Sequence, residues 1–175
     1  MRCISDEQCR AWVHEHCPGA SLTNPASGDA TLAYGVPADS SKKTCVARAI
    51  VAEITFSQPG LLWITEWGVF PSGENLELFR GYRSSLGEGR ALHEAPGHVF
   101  ESQDRAGVEA LLALSLYFYW DLALFEGDAG LAAKASHDEW IEVRVIDAAR
   151  RRNLQERFDQ IGMERWKPRS KPWPC

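Results

Sequence analysis

No part of this 175-residue chain offers an unbroken apolar run long enough to cross a bilayer. The longest candidate, Val108–Leu124, is interrupted by Glu109, Ser115 and Asp121 and crowded at its end by Tyr117, Tyr119 and Trp120. A spanning helix needs about 20 nearly continuous apolar residues, so a core helix running into a strand is the reading. The N-terminal MRCISDEQCRAW has no apolar segment of the kind a secretory leader carries. Cysteine is sparse and unpatterned. There are five (Cys3, Cys9, Cys17, Cys45 and Cys175), an odd number, with no CxxC pair. That argues against a disulfide framework and matches no zinc-finger spacing; reduced thiols in a cytoplasm are expected. Also missing are a GxSxG elbow, a nucleophilic-cysteine motif, an internal repeat and a domain linker.

What is present is a core. Hydrophobic residues make up 45% and charged residues 25%, proportions of one soluble domain of ordinary size. Seven Trp is high for this length, and Trp serves cores and binding hot spots alike. The net charge of −5 conceals a split. From Arg144 onward nine basic residues face four acidic ones, a net of +5, so residues 1–143 carry −10. An acidic body attracts a basic partner, and a basic end attracts nucleic acid.

Along the chain, Ser5-Asp6-Glu7-Gln8 is a capping box opening a helix to about Cys17. Residues 18–29 read as a loop, and Thr31–Val36 as a strand. A helix follows at roughly 41–55 behind the caps Asp39, Ser40 and Ser41. Leu61–Glu66 is apolar on both faces, as in a central strand, and Pro71-Ser72-Gly73 turns it into a helix over 74–86. Residues 87–100 look irregular because Pro96-Gly97 forbids a helix. A long helix from Ser102 to about Tyr119, a strand at 122–125, a loop or short helix over 127–135 and an alternating strand at 140–146 come next. Asp147 caps a last helix carrying Leu154, Phe158 and Ile161. The order α-β-α-β-α-α-β-β-α predicts an α/β three-layer sandwich with a mostly parallel sheet of about four strands. The expected organisation is a single domain over 1–164 with a basic Pro/Trp tail at 165–175.

Ligands of parallel α/β sheets sit beyond the carboxyl ends of the strands. That rule selects Thr65, Glu66 and Trp67 at the end of the central strand, and Ser72, Glu74 and Asn75 at the start of the next helix. The loop HEAPGH adds His93, Glu94 and His98. Its histidines are five apart with Pro-Gly between them, so they are no metalloprotease helix, but in a loop they could converge on a metal with His137, Asp138 or Glu139. The alternative role for them is pinning loop backbone. Asp39–Thr44 offers two lysines at a helix start but lacks the glycines of a phosphate loop. Ser136 and Asp138 are turn formers, since a triad of sequence neighbours has the wrong geometry. The Arg150-Arg151-Arg152 run at a helix start opposes the helix dipole, which makes it a candidate for a phosphate or an acidic partner, against the plainer reading of a solvated face.

The runs TEWGVFPSGENL (Thr65–Leu76), HEAPGH (His93–His98) and SHDEWIEV (Ser136–Val143), in this order, resemble a family of small bacterial proteins over about residues 41–146. The resemblance implies a small soluble bacterial domain and no particular mechanism; the basic Pro/Trp tail departs from it. The residues themselves point first to a non-enzymatic protein-interaction domain in the cytoplasm, of immunity or antitoxin type, with a basic protein as partner and no cofactor or membrane. The competing reading is a small-ligand or metal-binding enzyme around Glu66 and the His93–His98 loop. Nucleic-acid binding by residues 144–175 is a third, opposed by the overall acidity.

Overall fold

The computed structural model describes residues 1–18, 30–67 and 73–166. Three features expected from the sequence lie wholly or mostly outside them: the loop at 18–29 beyond Pro18, the turn at Pro71-Ser72, and the tail beyond Trp166. In chain order the elements are β1 (Arg2–Ile4), α1 (Asp6–His16), β2 (Thr31–Gly35), α2 (Ser40–Ala52), β3 (Gly60–Glu66), α3 (Gly73–Ser85), β4 (Gly97–Phe100), α4 (Arg105–Tyr117), β5 (Asp121–Phe125), β6 (Leu131–Ser136), β7 (Trp140–Val145) and α5 (Ala148–Ile161). A single 3-10 turn at Ser102–Asp104 leads into α4.

Local chemistry sets most of the boundaries. Ser5 and Gln8 form the capping box of α1, each side chain bonding the other's backbone N–H. Asp39 caps α2 and Asp147 caps α5 by accepting two backbone N–H groups each. Gly162 closes α5 in the left-handed region at φ 75°.

The seven strands form one sheet in the order β1-β4-β3-β5-β6-β7-β2, and each pairing is antiparallel. This overturns the expected mostly parallel four-stranded sheet in a three-layer sandwich. The reason lies in three strands that the sequence pattern hides. β1 is three residues long. β4 is GHVF, buried throughout, with Pro96 directly before it. β6 is LAAKAS, whose alanines are poor strand formers. With those strands unseen, the helices seemed to alternate with strands as crossovers. In fact β5, β6 and β7 follow one another through short turns, with Ala129 and Glu139 at positive φ (57° and 65°).

One sheet face carries Leu62, Ile64, Leu122, Leu124, Ala133, Ala135, Ile141, Val143 and Val145, and it is buried beneath α2, α3, α4 and α5. The opposite face carries Leu61, Trp63, Val99, Ala123 and Phe125, packed by α1 through Cys9, Trp12, Val13 and Cys17. α1 approaches closely at Gly97, where an added Cβ would lie 2.2 Å from the Cys9 sulfur and 2.8 Å from Ile4. Among the described residues, Glu164–Trp166 run beside the β2 edge, with Trp166 N donating to Ala33 O and Arg165 lying 4.4 Å from the centre of the Tyr34 ring. Among the described residues no helix is long and apolar enough to cross a membrane.

A buried carboxylate ties the elements together. Glu126, at the end of β5, is fully buried, accepts from Thr55 N and Thr55 Oγ1 at 2.7 and 2.6 Å, and pairs with Arg150 of α5 at 2.8 Å. The same Arg150 nitrogen donates to the Glu53 carbonyl at the end of α2. The first residue of the Arg150-Arg151-Arg152 run therefore has an internal acidic partner, and Arg151 donates to the Val145 carbonyl at 3.1 Å. Removing one member of such a pair strands the other charge. Glu126→Gln is expected to lower the unfolding free energy by about 3 kcal/mol, read from urea denaturation followed by Trp fluorescence; an unchanged midpoint would contradict this role.

Candidate functional site

The sequence-selected residues divide between several surroundings. Thr65 is exposed at the end of β3 and lines a cavity described below. Glu66 is exposed and accepts from the N–H of Trp67 at 3.0 Å, while Trp67 is half-buried against the main core. Asn75 is half-buried in the first turns of α3, and Glu74 falls in the same turn. Ser72 lies outside the described residues. Glu94 turns back to accept from Ala91 N at 2.8 Å, which is backbone pinning, and His93 is exposed.

His98 goes the other way. It lies on β4 directly opposite Cys3 and Leu62, so its ring enters the main core and meets Phe79 edge-on at 6.0 Å. It is fully buried, and neither ring nitrogen reaches a partner with hydrogen-bond geometry, although the backbone of Leu62 and Pro96 is near. The HEAPGH residues are thus not gathered into one site: His98 faces the core while Glu94 and His93 stay in the loop. Among the described residues no group of three or more His, Cys, Asp or Glu could hold a metal ion. His137 is tied to Asp121, with Nδ1 to Oδ1 at 2.8 Å, and Ser136 Oγ accepts from Asp138 N as a turn former should. Lys43, from the lysine pair that opens α2, is buried with its amine 3.5 Å from the centre of the Tyr119 ring.

The strand-end rule failed because it belongs to parallel sheets. The geometry places the candidate site on a sheet face instead. α1 packs against the β4-β3-β5 half of its face. From that half outward the register sets Trp63, Ala123, Lys134, Glu142 and Ala33 in one row across β3, β5, β6, β7 and β2. Beside that row lie Trp140 and Arg144 from β7 and Thr31 from β2. Adjacent strands are about 4.8 Å apart, so Trp63 and Glu142 are separated by roughly 14 Å.

At the border between the two halves is a cavity of about 230 Å3 lined by Asp6, Arg10, Trp63, Thr65, Asp121, Leu122, Ala123 and Lys134. Trp63 is 2% exposed, and among the described residues its indole N–H has no partner. Arg10 lies 5.5 Å from the centre of the Trp63 ring and pairs with Asp6 at 2.9 Å. Lys134 lies 5.4 Å from the centre of the Trp140 ring. Glu142 turns one carboxylate oxygen inward with no partner, and burial pushes its pKa up against the opposing pull of Lys134. The arrangement joins aromatic rings, both signs of charge, one unmet donor and one unmet acceptor. Of these residues the sequence reasoning selected Thr65 alone. The alternation of Glu142 and Arg144 against Ile141, Val143 and Val145, legible in the sequence, marks a polar face without saying what that face meets.

Compared with models of protein families, with curated proteins and with solved structures, the chain matches none.

Burial, and secondarily the Arg83 cation, push His98 down to about 3. A histidine in the unfolded chain titrates near 6.5. The unfolded state therefore binds the proton first, so the stability contributed by neutral His98 is complete above about pH 6.5 and is lost as pH falls toward 3. Between pH 7 and pH 5 the native protein is expected to lose about 2 kcal/mol more stability than His98→Leu. Urea titrations at the two pH values check this, and equal losses would refute it.

Proposed function

We propose that this domain is a non-enzymatic binding module of the bacterial cytoplasm that captures another protein, in the manner of an immunity or antitoxin-type partner, through the β5-β6-β7-β2 sheet face. The observation that carries the reading is the cross-strand row from Trp63 to Glu142, with an unmet indole N–H at one end and an unmet carboxylate oxygen at the other. Buried polar atoms without partners cost about 1–3 kcal/mol each, and a partner whose docking shifts their cover and supplies the missing acceptor and donor recovers that loss.

Three features favour a protein over a metabolite. The row is broad and lies on a sheet face, not in a closed cleft. Its accessible anchors, Trp140 and Arg144, belong to the residue types that dominate interface energetics. The 230 Å3 cavity accommodates a side chain entering between Arg10 and Lys134. A basic partner suits the net −10 of residues 1–143.

The test is affinity capture from a lysate of the encoding organism with four baits. These are the native protein, Trp140→Ala, Glu142→Gln, and Arg48→Ala on the far side of the molecule. A basic protein is expected on the native and Arg48→Ala baits, released by about 0.5 M salt, and reduced about tenfold on the two face variants. Equal retention on all four baits, or no protein retained at low salt, would reject the reading.

A further inference from the structure

On the other side of the sheet, α3 and the turn at Arg90–Leu92 enclose a cavity of about 30 Å3 lined by Leu76, Phe79, Arg80, Arg83, Arg90, Ala91 and Leu92. A single water needs about 10–15 Å3 by this measure, so the space suits a group of two or three heavy atoms and is too small for a metabolite. Three guanidinium groups around so small a cavity are unusual company unless something anionic belongs there.

The three are not equivalent. Arg80 is exposed and pairs with Glu77 at 2.9 Å. Arg90 is occupied by Glu88, with two contacts of 2.9 and 2.6 Å, and also reaches the Cys3 carbonyl. Glu88 is held down to about 2, first by its hydrogen bonding to Arg90. Arg83 is the one left over. It is 2% exposed, donates one nitrogen to the Ala95 carbonyl at 2.8 Å, and its Nε–H has no partner. Among the described residues no carboxylate lies within ion-pair distance of it. Its charged and titratable neighbours are Glu88, committed to Arg90, the Cys3 thiol, and His98, which burial keeps neutral. A buried guanidinium without a counter-ion is costly, and a guanidinium fork recognises a planar two-oxygen group better than a point charge.

We propose that this cavity is a binding site for a single carboxylate group, with Arg83 at its floor as the recognising cation, Arg80 and Arg90 at its rim, and Leu76, Phe79 and Leu92 as apolar walls that limit what enters. The carboxylate comes either from a small free acid or from an Asp, Glu or chain terminus of another protein. The site lies across the sheet from the Trp63–Glu142 row and does not depend on that face's role.

The experiment follows the Arg83 Nε–H cross-peak by 1H–15N NMR, assigned by its loss in Arg83→Lys. Sodium formate is expected to shift it saturably. Sodium sulfate at equal ionic strength, too large for the cavity, is expected to leave it in place. Leu92→Phe, which fills the space but keeps Arg83, is expected to abolish the formate shift while the rest of the spectrum remains folded. No saturable shift, the same shift in both salts, or a shift that survives Leu92→Phe would overturn the proposal. A short peptide with an internal Asp distinguishes the sources. Displacement of formate at about tenfold lower concentration assigns the site to a protein-borne carboxylate, and weaker displacement assigns it to a free acid.

Discussion

The fold hangs on a carboxylate that water does not reach. Glu126 sits where β5 ends, and its side chain and backbone together engage four other parts of the chain. Its oxygens hold Thr55 and Arg150, its carbonyl accepts from Ala129 N in the turn to β6, and the Cys17 thiol at the end of α1 donates to the same carbonyl at 3.5 Å. Glu126, by its carboxylate and its backbone carbonyl together, thus fixes the ends of α1 and α2 and the start of α5 relative to the central strands. The neighbourhood leaves no slack. A Cβ added at Gly130 would lie 2.9 Å from the Glu126 carboxylate and 3.0 Å from Arg150. Glu53 extends the network outward, its pKa raised by burial against the pull of Arg157 and Arg150. Such a cluster is no cheaper than an apolar core, but it tolerates few alternative arrangements, and specificity of packing is what it contributes.

That constraint explains why the two sheet faces differ. α5, anchored by Arg150, joins α2 and α4 over Leu62, Leu124, Ala133 and Val143, and the main core forms there. α1, anchored at Cys17, is confined to the β4-β3-β5 half of the opposite face. The outer strands of that face keep a polar row because α1 sits elsewhere. Lys134, Glu142 and Arg144 alternate with the buried Ala133, Ile141, Val143 and Val145, as the pleat demands.

Much of the helical skeleton was legible in the residues. The caps Ser5, Asp39 and Asp147, the central strand at β3 and the alternation of β7 all emerge from local patterns that the structure keeps. The sheet was not legible, and the cause is specific. β4 and β6 are strands by virtue of their neighbours: Gly97 is needed for the approach of α1, and the small side chains of β6 let it lie between β5 and β7 despite poor intrinsic preference. Missing these strands, with the short β1, turned an antiparallel sheet into an inferred parallel one, and the strand-end rule was then applied to a sheet it does not describe. Thr65 survives as a cavity residue, whereas His98, chosen as a ligand, is a core residue opposite Cys3. Period-two alternation identifies a wet face, but two residues thirty or more positions apart, such as Trp63 and Lys134, meet only through register.

The buried polar atoms left without partners differ in what surrounds them. Arg150 has an unpaired Nε, yet its charge is met by Glu126 and its fork by the Glu53 carbonyl, so nothing is owed there. Trp63 and Glu142 are different: each is partly committed to packing, each withholds one polar atom, and the two share a row. Arg83 differs again, since what it lacks is a counter-charge and not merely an acceptor. A folded domain that satisfies a buried carboxylate as thoroughly as it does Glu126 has the means to satisfy its other polar groups. Where it does not, as at Trp63, Glu142 and Arg83, the unmet atoms are what the proposed binding roles rest on, whereas the unmet nitrogens of His98 belong to the core.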